Sequence, residues 1–432
     1  MDILIHILAF LFVYNIPFVG IPISSSKIVV IILLLYTIFH RIVYYKKEWF
    51  KIVAFLIILI LYSIFIMIIN ESKDMSILYA LILFIVNHFL GAFLFVQLLK
   101  RTNKLNKNYI IRLFIILAFV QALFILLMLL FSGFREICFS ITSIERESLL
   151  KRYNGIRGLG MASSVTYDLG VIQSFALIFI IYKMISNKLS RKQIYFYITA
   201  YIAIFISVCV TGRTGFIGVL FSIFLSVSYI SNDRKKEKNK ILRIITHGGL
   251  IVILSIIIAF SFLGKDKVLK ISHNISVYAF EMIYSYEETG SFSIGTSKNL
   301  IKMVENFSNI SPKSFLIGDG RYKGEGILYY KHTDIGFFRQ IYFFGIVGTL
   351  LIVYMYLYIF KRMSITVAND KYFKKVIFLI GIYYFISNIK GDFLIGCGNA
   401  ISILLILYFT ITAENIKDIS KRECFTNENF IN

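Results

Sequence analysis

The sequence predicts an all-α polytopic membrane protein with about twelve transmembrane helices and a large outer loop between the ninth and tenth helices. Two observations carry this prediction. Hydrophobic residues make up 58% of the 432 residues and charged residues only 16%, a balance that excludes a soluble globular protein. The apolar residues also form blocks of about 20, the length that an α-helix needs to cross a bilayer. We therefore expect residues 1–432 to form a single membrane domain.

The predicted spans follow the hydrophobic blocks in chain order. The blocks occur at 3–20, 28–45, 50–69, 76–99, 109–131, 168–186, 194–211, 215–231, 244–263, 335–360, 376–391 and 394–413. Only Met1 and Asp2 precede the first block, with no basic segment and no small-residue cleavage pattern. The first block is therefore predicted to be a retained helix and not a removed signal peptide.

The distribution of Lys and Arg predicts the orientation of these helices. If both termini are cytoplasmic, 27 of the 46 Lys and Arg residues lie in inner segments, and every short inner loop is basic. This pattern matches the excess of basic residues that cytoplasmic loops carry. The basic run at 232–243 is then a topology signal and a contact with lipid headgroups, so membrane lipids are expected partners and nucleic acid is not.

Two segments on the predicted outer face are long, at about 132–167 and 264–334. The second segment contains apolar residues at the i, i+3, i+4 and i+7 spacing of an amphipathic helix. These residues are Leu300, Met303, Val304 and Phe307. We expect this helix to lie against the bundle or in the membrane interface.

Arg213 is the first candidate site residue. It lies in the short turn Thr211–Gly215, which joins two predicted helices on the outer face. A guanidinium group suits a phosphate or pyrophosphate, the two glycines would let the backbone approach it, and the following helix start would add N–H donors. The alternative is a simple interfacial anchor in a turn.

Arg152 and Arg157 are the second candidates. They lie in a glycine-rich segment, with Gly155, Gly158 and Gly160, just before a predicted helix. Basic side chains on such a segment suit an anionic lipid headgroup. The alternative is a loop that packs against the bundle, and Arg157 is favoured over Arg152 because it is nearer to the membrane.

The third candidate is the polar run Tyr329–Gly336, which ends the long outer loop directly before a predicted helix. Ionisable residues at the mouth of a membrane bundle are typical of substrate capture or catalysis. His332 could act as a general base near neutral pH, and Asp334 could act as the base itself or orient His332. Arg339 follows inside the next helix. A lone His in a loop is otherwise an ordinary polar residue.

Several chemistries are excluded by missing motifs. The chain has no phosphate-binding loop of an ATPase, no HExxH motif and no acidic nucleotide-sugar motif in an inner loop, so no cofactor and no ATP-driven activity is expected. The four cysteines show neither disulfide nor metal-ligand spacing, so no metal site is predicted. They are Cys138, Cys209, Cys397 and Cys424.

At these candidate residues the chain resembles the O-antigen and capsular polysaccharide polymerase family, which is related to the O-antigen ligases. The resemblance rests on the topology and on short motifs: Arg157 with its glycines, the Arg213 turn, the segment from Leu316 to Gly320 leading to His332–Gly336, and Phe344–Gly348. It implies metal-independent glycosyl transfer at the periplasmic face of the bacterial inner membrane. The donor would be a glycan linked through pyrophosphate to undecaprenol, with a chain-length regulator as an additional candidate partner.

The resemblance also implies roles for the candidate residues. Arg157 and Arg213 would bind the pyrophosphate, with Arg152 and Arg339 as further ligands, and His332 or Asp334 would be the base. Two alternatives stay open. An O-antigen ligase would differ only in its acceptor. A flippase or other transporter of lipid-linked oligosaccharide would be expected to have paired repeats and helices broken at the midplane. No matching halves are evident in this sequence, and its conspicuous polar residues cluster on the predicted outer face.

Overall fold

The computed structural model describes residues 1–41, 43–144, 155–186, 189–230, 265–279, 281–289, 295–324 and 329–428. These residues are 77% helical and contain no β-strand. The predicted all-α class is therefore confirmed for the part of the chain that the structure describes. Long apolar stretches form helices because a helix satisfies every backbone N–H and C=O within one segment.

The α-helices are numbered in chain order within the described residues. They are α1 Asp2–Tyr14, α2 Ser25–Phe39, α3 Phe50–Ile69, α4 Ser76–Leu83, α5 Leu90–Arg101, α6 Lys107–Leu130, α7 Ser132–Ile141, α8 Tyr167–Ser186, α9 Arg191–Thr211, α10 Gly215–Ile230, α11 Lys265–Ala279, α12 Glu281–Thr289, α13 Gly295–Ser308, α14 Pro312–Leu316, α15 Gly336–Thr366, α16 Lys371–Lys390 and α17 Gly398–Glu428. A π-helical turn, Phe84–Phe89, joins α4 to α5, and a 3₁₀ turn, Tyr330–His332, precedes α15.

Seven helical segments in the described ranges are long and apolar enough to cross a membrane, so the protein is membrane-embedded. They are α3, the continuous segment Ser76–Arg101, α6, α8, α9, α15 and α16. Shorter apolar helices occupy four more of the predicted spans: Asp2–Tyr14, Ser25–Phe39, Gly215–Tyr229 and Gly398–Ala413. The predicted ninth span, 244–263, lies outside the described residues, and the count of twelve stays a prediction.

The chain divides into two compact units. Unit 1 comprises Met1–Phe10, Tyr14–Ser25 and Phe114–Glu305, and within it α8 packs against α9 and α10. Unit 2 comprises Leu11–Val13, Ser26–Leu113 and Asn306–Asn432, and within it α15 packs against α3, α14, α16 and α17.

A kink in α15 positions the loop before that helix in unit 2. Gly345 has a φ of +65°, a left-handed conformation that glycine adopts at little cost. The loop lies against this kink, because the N–H of Asp319 donates to the carbonyl of Tyr342 at 2.6 Å and the N–H of Gly320 to that of Phe343 at 3.2 Å. The backbone of the segment 318–320 is thus anchored to the helix.

The amphipathic helix predicted in the long loop is confirmed as α13. Its Phe307 stacks on Phe338 of α15, with ring centroids 3.8 Å apart. Leu300 and Val304, on the same predicted apolar face, are exposed. Phe307 thus packs on a unit 2 helix while part of the apolar stripe stays uncovered within the described residues.

Candidate functional site

The turn that carries Arg213 is held against α8 in unit 1. A Cβ added at Gly212 would lie 2.8 Å from the Cα of Tyr167, and one added at Gly215 would lie 2.8 Å from the carbonyl oxygen of Gly170. Both distances are too short for a side chain. The glycines therefore permit the turn to pack on α8, a different role from the approach to a ligand that the sequence suggested.

The guanidinium group of Arg213 has two neighbours in unit 1. Its Nη1 forms an ion pair with Glu281 at 2.6 Å, in which the two side chains are 29% and 37% exposed. Its Cζ lies 5.5 Å from the ring centroid of the buried Tyr278. Arg213 is therefore partly exposed and electrostatically paired.

Arg157 contacts the same tyrosine. Its Cζ lies 5.7 Å from the ring centroid of Tyr278, so the two arginine side chains come within about 11 Å of each other. The glycine-rich segment bends around Arg157, with Gly155 and Gly158 at φ +76° and +89°. Arg152, the other predicted residue of this segment, lies outside the described residues.

Arg339 has a different environment, in unit 2. Its guanidinium lies between two tyrosine rings, with Cζ 3.9 Å from the centroid of Tyr322 and 3.7 Å from that of Tyr329. The residue is 7% exposed, and its Nε is buried without a hydrogen-bond partner. Among the described residues no carboxylate forms an ion pair with it. We call Tyr322, Arg339 and Tyr329 the arginine stack.

A buried hydrogen-bond network holds Tyr322 of the arginine stack in place. The hydroxyl of Tyr322 donates to Oδ2 of the buried Asp392. Asp392 Oδ1 accepts from Nε2 of Gln340 at 2.8 Å, and Gln340 also pairs with the Asn388 amide. Burial, followed by the charge of Asp392, raises the pKa of Tyr322 well above its ordinary value, so its hydroxyl stays a donor.

Asp74 holds the backbone of the loop that carries Tyr322. Its Oδ2 accepts from the N–H groups of Tyr322 at 2.6 Å and Lys323 at 2.7 Å, while Oδ1 accepts from the N–H and hydroxyl of Ser76. Burial alone would raise the pKa of Asp74, but these donors, of which Lys323 is the largest influence, hold the pKa below its ordinary value. A charged carboxylate between α3 and α4 thus holds the loop in place.

His332 and Asp334 are both exposed, on the segment that precedes α15. Lys331 and His332 adopt left-handed backbone conformations, with φ of +55° and +52°, which are uncommon for residues other than glycine. Within the described residues the side chains of His332 and Asp334 form no hydrogen bond with each other. The orientation of His332 by Asp334 that the sequence suggested is not seen.

The structure thus assembles two cationic clusters, each within its own unit. Sequence reasoning named the arginines but missed their aromatic partners Tyr278, Tyr322 and Tyr329, although Tyr329 begins the polar run that it singled out. No sequence signal marked Tyr278, which lies in a helix of ordinary composition. In the described residues no group of three His, Cys, Asp or Glu side chains could hold a metal ion.

No protein-family model matches the sequence, and no curated protein is significantly similar to it. The resemblance to polysaccharide polymerases therefore depends on the residues, short motifs and topology described above.

Proposed function

We propose that the protein is a metal-independent glycosyltransferase that polymerises glycan repeat units carried on undecaprenyl pyrophosphate. The observation that carries this proposal is the convergence of Arg157 and Arg213 on Tyr278. The two arginines come from separate motifs, of which the Arg213 turn suits a phosphate or pyrophosphate and the Arg157 segment an anionic lipid headgroup, and guanidinium groups form strong paired hydrogen bonds with phosphates.

The reaction requires stabilisation of a leaving anion. The acceptor hydroxyl oxygen forms a bond to the anomeric carbon of the donor, the bond from that carbon to the pyrophosphate oxygen breaks, and the leaving undecaprenyl pyrophosphate takes the electron pair. Arg157 and Arg213 would neutralise the charge that develops on this group. Their guanidinium groups are suited to it because they bind phosphate oxygens in pairs.

The proton of the acceptor hydroxyl needs a base. His332 and Asp334 of unit 2 are the candidates that the sequence offers, and both side chains are exposed. Only one of them is required, and a substitution of each in turn would separate them.

The proposal includes an orientation. Both termini would be cytoplasmic and the loops that carry the arginines periplasmic, in the bacterial inner membrane, because the short loops predicted on the opposite side are basic. The substrate lipid would lie along the apolar helices, which accounts for an enzyme built almost entirely of membrane segments.

Arg213→Lys tests the proposal directly. The variant keeps the positive charge but cannot form paired contacts with a phosphate, so we expect insertion into the membrane to be retained and polymer formation to fall at least about tenfold, equivalent to about 1.4 kcal/mol of transition-state stabilisation. Arg191→Lys, at the exposed opposite end of α9, is the matched control and should retain full activity. Wild-type polymer from Arg213→Lys would remove Arg213 from the mechanism.

Deletion of the gene separates the proposal from its alternatives. A polymerase deletion should leave surface glycan with a single repeat and no ladder on a gel. A ligase deletion would instead leave core without any repeat while polymer accumulates on the lipid carrier. A flippase deletion would trap single lipid-linked repeats inside the cell.

A further inference from the structure

The guanidinium of Arg339, in the arginine stack of unit 2, forms no direct ion pair with a carboxylate of the described residues. Arg339 is more than nine-tenths buried, and no hydrogen bond or ion pair from its side chain occurs within the described residues. The two cation–π contacts stabilise the charge, but an aromatic face provides no oxygen acceptor for the guanidinium, and Nε stays buried without one. Binding of an oxyanion to the Arg339 guanidinium would therefore be favourable.

Hydrogen bonds anchor the Tyr322 side of the arginine stack. Asp74 binds the backbone on both sides of the Tyr322–Lys323 peptide, and Asp392 binds the Tyr322 hydroxyl. The loop before Tyr322 is anchored at Gly320, whose carbonyl accepts from Ser72 Oγ at 2.6 Å. A ligand would therefore lose little affinity to ordering of the loop, because the ring and the cation are already positioned.

The aromatic surface beside Arg339 indicates the kind of molecule that carries the oxyanion. Tyr329 is 42% exposed while its ring also contacts the guanidinium. The negative face of an aromatic ring attracts the positively polarised C–H groups of a sugar. A flat apolar face next to a fixed guanidinium thus matches a ring that bears a carboxylate or phosphate, and guanidinium binds both oxyanions in a paired geometry.

We propose that Arg339, Tyr322 and Tyr329 form a binding subsite for an oxyanion attached to a sugar. Two sources share this chemistry: the carboxylate of an acidic sugar in a glycan, and the phosphate that links a glycan to its lipid. Arg339 binds the oxyanion, Tyr329 provides the surface for the sugar ring, and Tyr322 holds Arg339 in place through its contact with Asp392. This site acts in binding and does not depend on whether the protein forms glycosidic bonds.

The test is a binding measurement on the full-length protein in nanodiscs. Three probes are compared by calorimetry and by saturation-transfer NMR: methyl glucuronide, the neutral methyl glucoside and inorganic pyrophosphate. We expect the glucuronide to bind wild-type protein and to bind at least tenfold more weakly to Arg339→Gln. For pyrophosphate we expect loss of one of two binding events, because Arg157 and Arg213 are proposed to bind it as well. Arg321→Gln, an exposed arginine of the same loop, is the matched control and should bind as wild type does.

The two anionic probes distinguish the sources. Loss of glucuronide binding alone in Arg339→Gln assigns the site to an acidic sugar, and loss of pyrophosphate binding alone assigns it to the lipid phosphate. Equal loss of both supports a general oxyanion site. The proposal would be overturned if neither anion bound to wild-type protein, or if both anions bound to Arg339→Gln as they do to wild type.

A second variant covers the case in which Arg339→Gln does not fold. Tyr329→Ala removes a partly exposed ring and leaves the network at Asp392 unchanged, so it should fold and lose most of the NMR signal of the sugar-ring protons. An unchanged signal would remove Tyr329 from the site. Because methyl glucuronide lacks the pyrophosphate that Arg157 and Arg213 are proposed to bind, failure of the glucuronide test leaves the polymerase proposal standing, and wild-type polymer from Arg213→Lys leaves this one standing.

Discussion

The two arginine clusters use the same chemical contact in opposite ways. In unit 1, Arg213 lies near Tyr278 but is partly exposed and paired with Glu281. In unit 2, Arg339 is almost fully buried between Tyr322 and Tyr329, with no carboxylate partner among the described residues. One guanidinium forms an ion pair with a carboxylate, and the other forms none within the described residues.

This difference has a physical consequence for ligand binding. An anion that binds Arg213 must compete with Glu281, so its binding free energy is reduced. The Arg213 side chain can nevertheless adjust its position because it is partly exposed. An anion that reaches Arg339 displaces no competing carboxylate and meets a fixed group. If the protein is the glycosyltransferase that we propose, the first arrangement suits a leaving group that must be released, and the second suits binding of a fixed anionic feature of the glycan.

The largest loss of stability is expected when the loop that carries Tyr322 can no longer pack against the kink of α15. Gly318 has a φ of +91°, and a Cβ at this position would overlap the carbonyl oxygen of Phe343. Gly318→Ala should destabilise unit 2 by about 2–5 kcal/mol, because the left-handed conformation and the backbone overlap both cost free energy. Thermal unfolding in detergent measures the change.

Gly20→Ala separates the two causes. Gly20 also has a positive φ, of +77°, but a Cβ there would meet nothing within 4 Å. It should therefore cost only the conformational part, about 1–2 kcal/mol. Equal losses in the two variants would mean that the contact between the loop and the α15 kink contributes nothing to stability.

A smaller effect is expected from the carboxylate that holds the loop. Asp74→Ala leaves the N–H groups of Tyr322 and Lys323 without their acceptor and should cost about 1–2 kcal/mol at neutral pH. Because hydrogen bonds hold the pKa of Asp74 below its ordinary 3.8, its stabilisation is complete above about pH 5 and is lost as the pH falls through the ordinary and then the lowered pKa.

The pH dependence of unfolding provides the check. Wild type and Asp74→Ala should differ in stability at pH 7, and the difference should shrink as the pH is lowered from about 5 to about 2. A constant difference across this range would show that the charge of Asp74 plays no part in anchoring the loop.

The smallest effect concerns the ion pair of unit 1. Glu281→Gln removes the competitor for Arg213 and should strengthen binding of inorganic pyrophosphate about two- to fivefold, since a partly exposed ion pair is worth up to about 1 kcal/mol. Glu287→Gln, an exposed residue of the same helix α12, should leave the affinity unchanged. Weaker binding in Glu281→Gln would mean that Glu281 positions Arg213 for the anion.

Much of the candidate site could be named from the sequence, but its contacts could not. The turn at Arg213 was predicted because a charged residue between two apolar blocks stands out. The packing of Gly212 and Gly215 on α8 was not, because it depends on which helix lies beside the turn. Asp74 gave no signal, since its partner Tyr322 is far away in the chain.

The sequence by itself determined that this protein is helical and embedded in a membrane. Long apolar blocks leave little choice, because in a bilayer each backbone polar group must be satisfied within the protein. Only the tertiary structure decided that Arg339 is the buried cation and that Tyr322 and Tyr329 enclose it. Burial and stacking arise from contacts between segments that are distant in the chain, and no local sequence pattern encodes which segments meet. Here the contacts are those of a loop that is anchored by Asp74 and by the kink at Gly345.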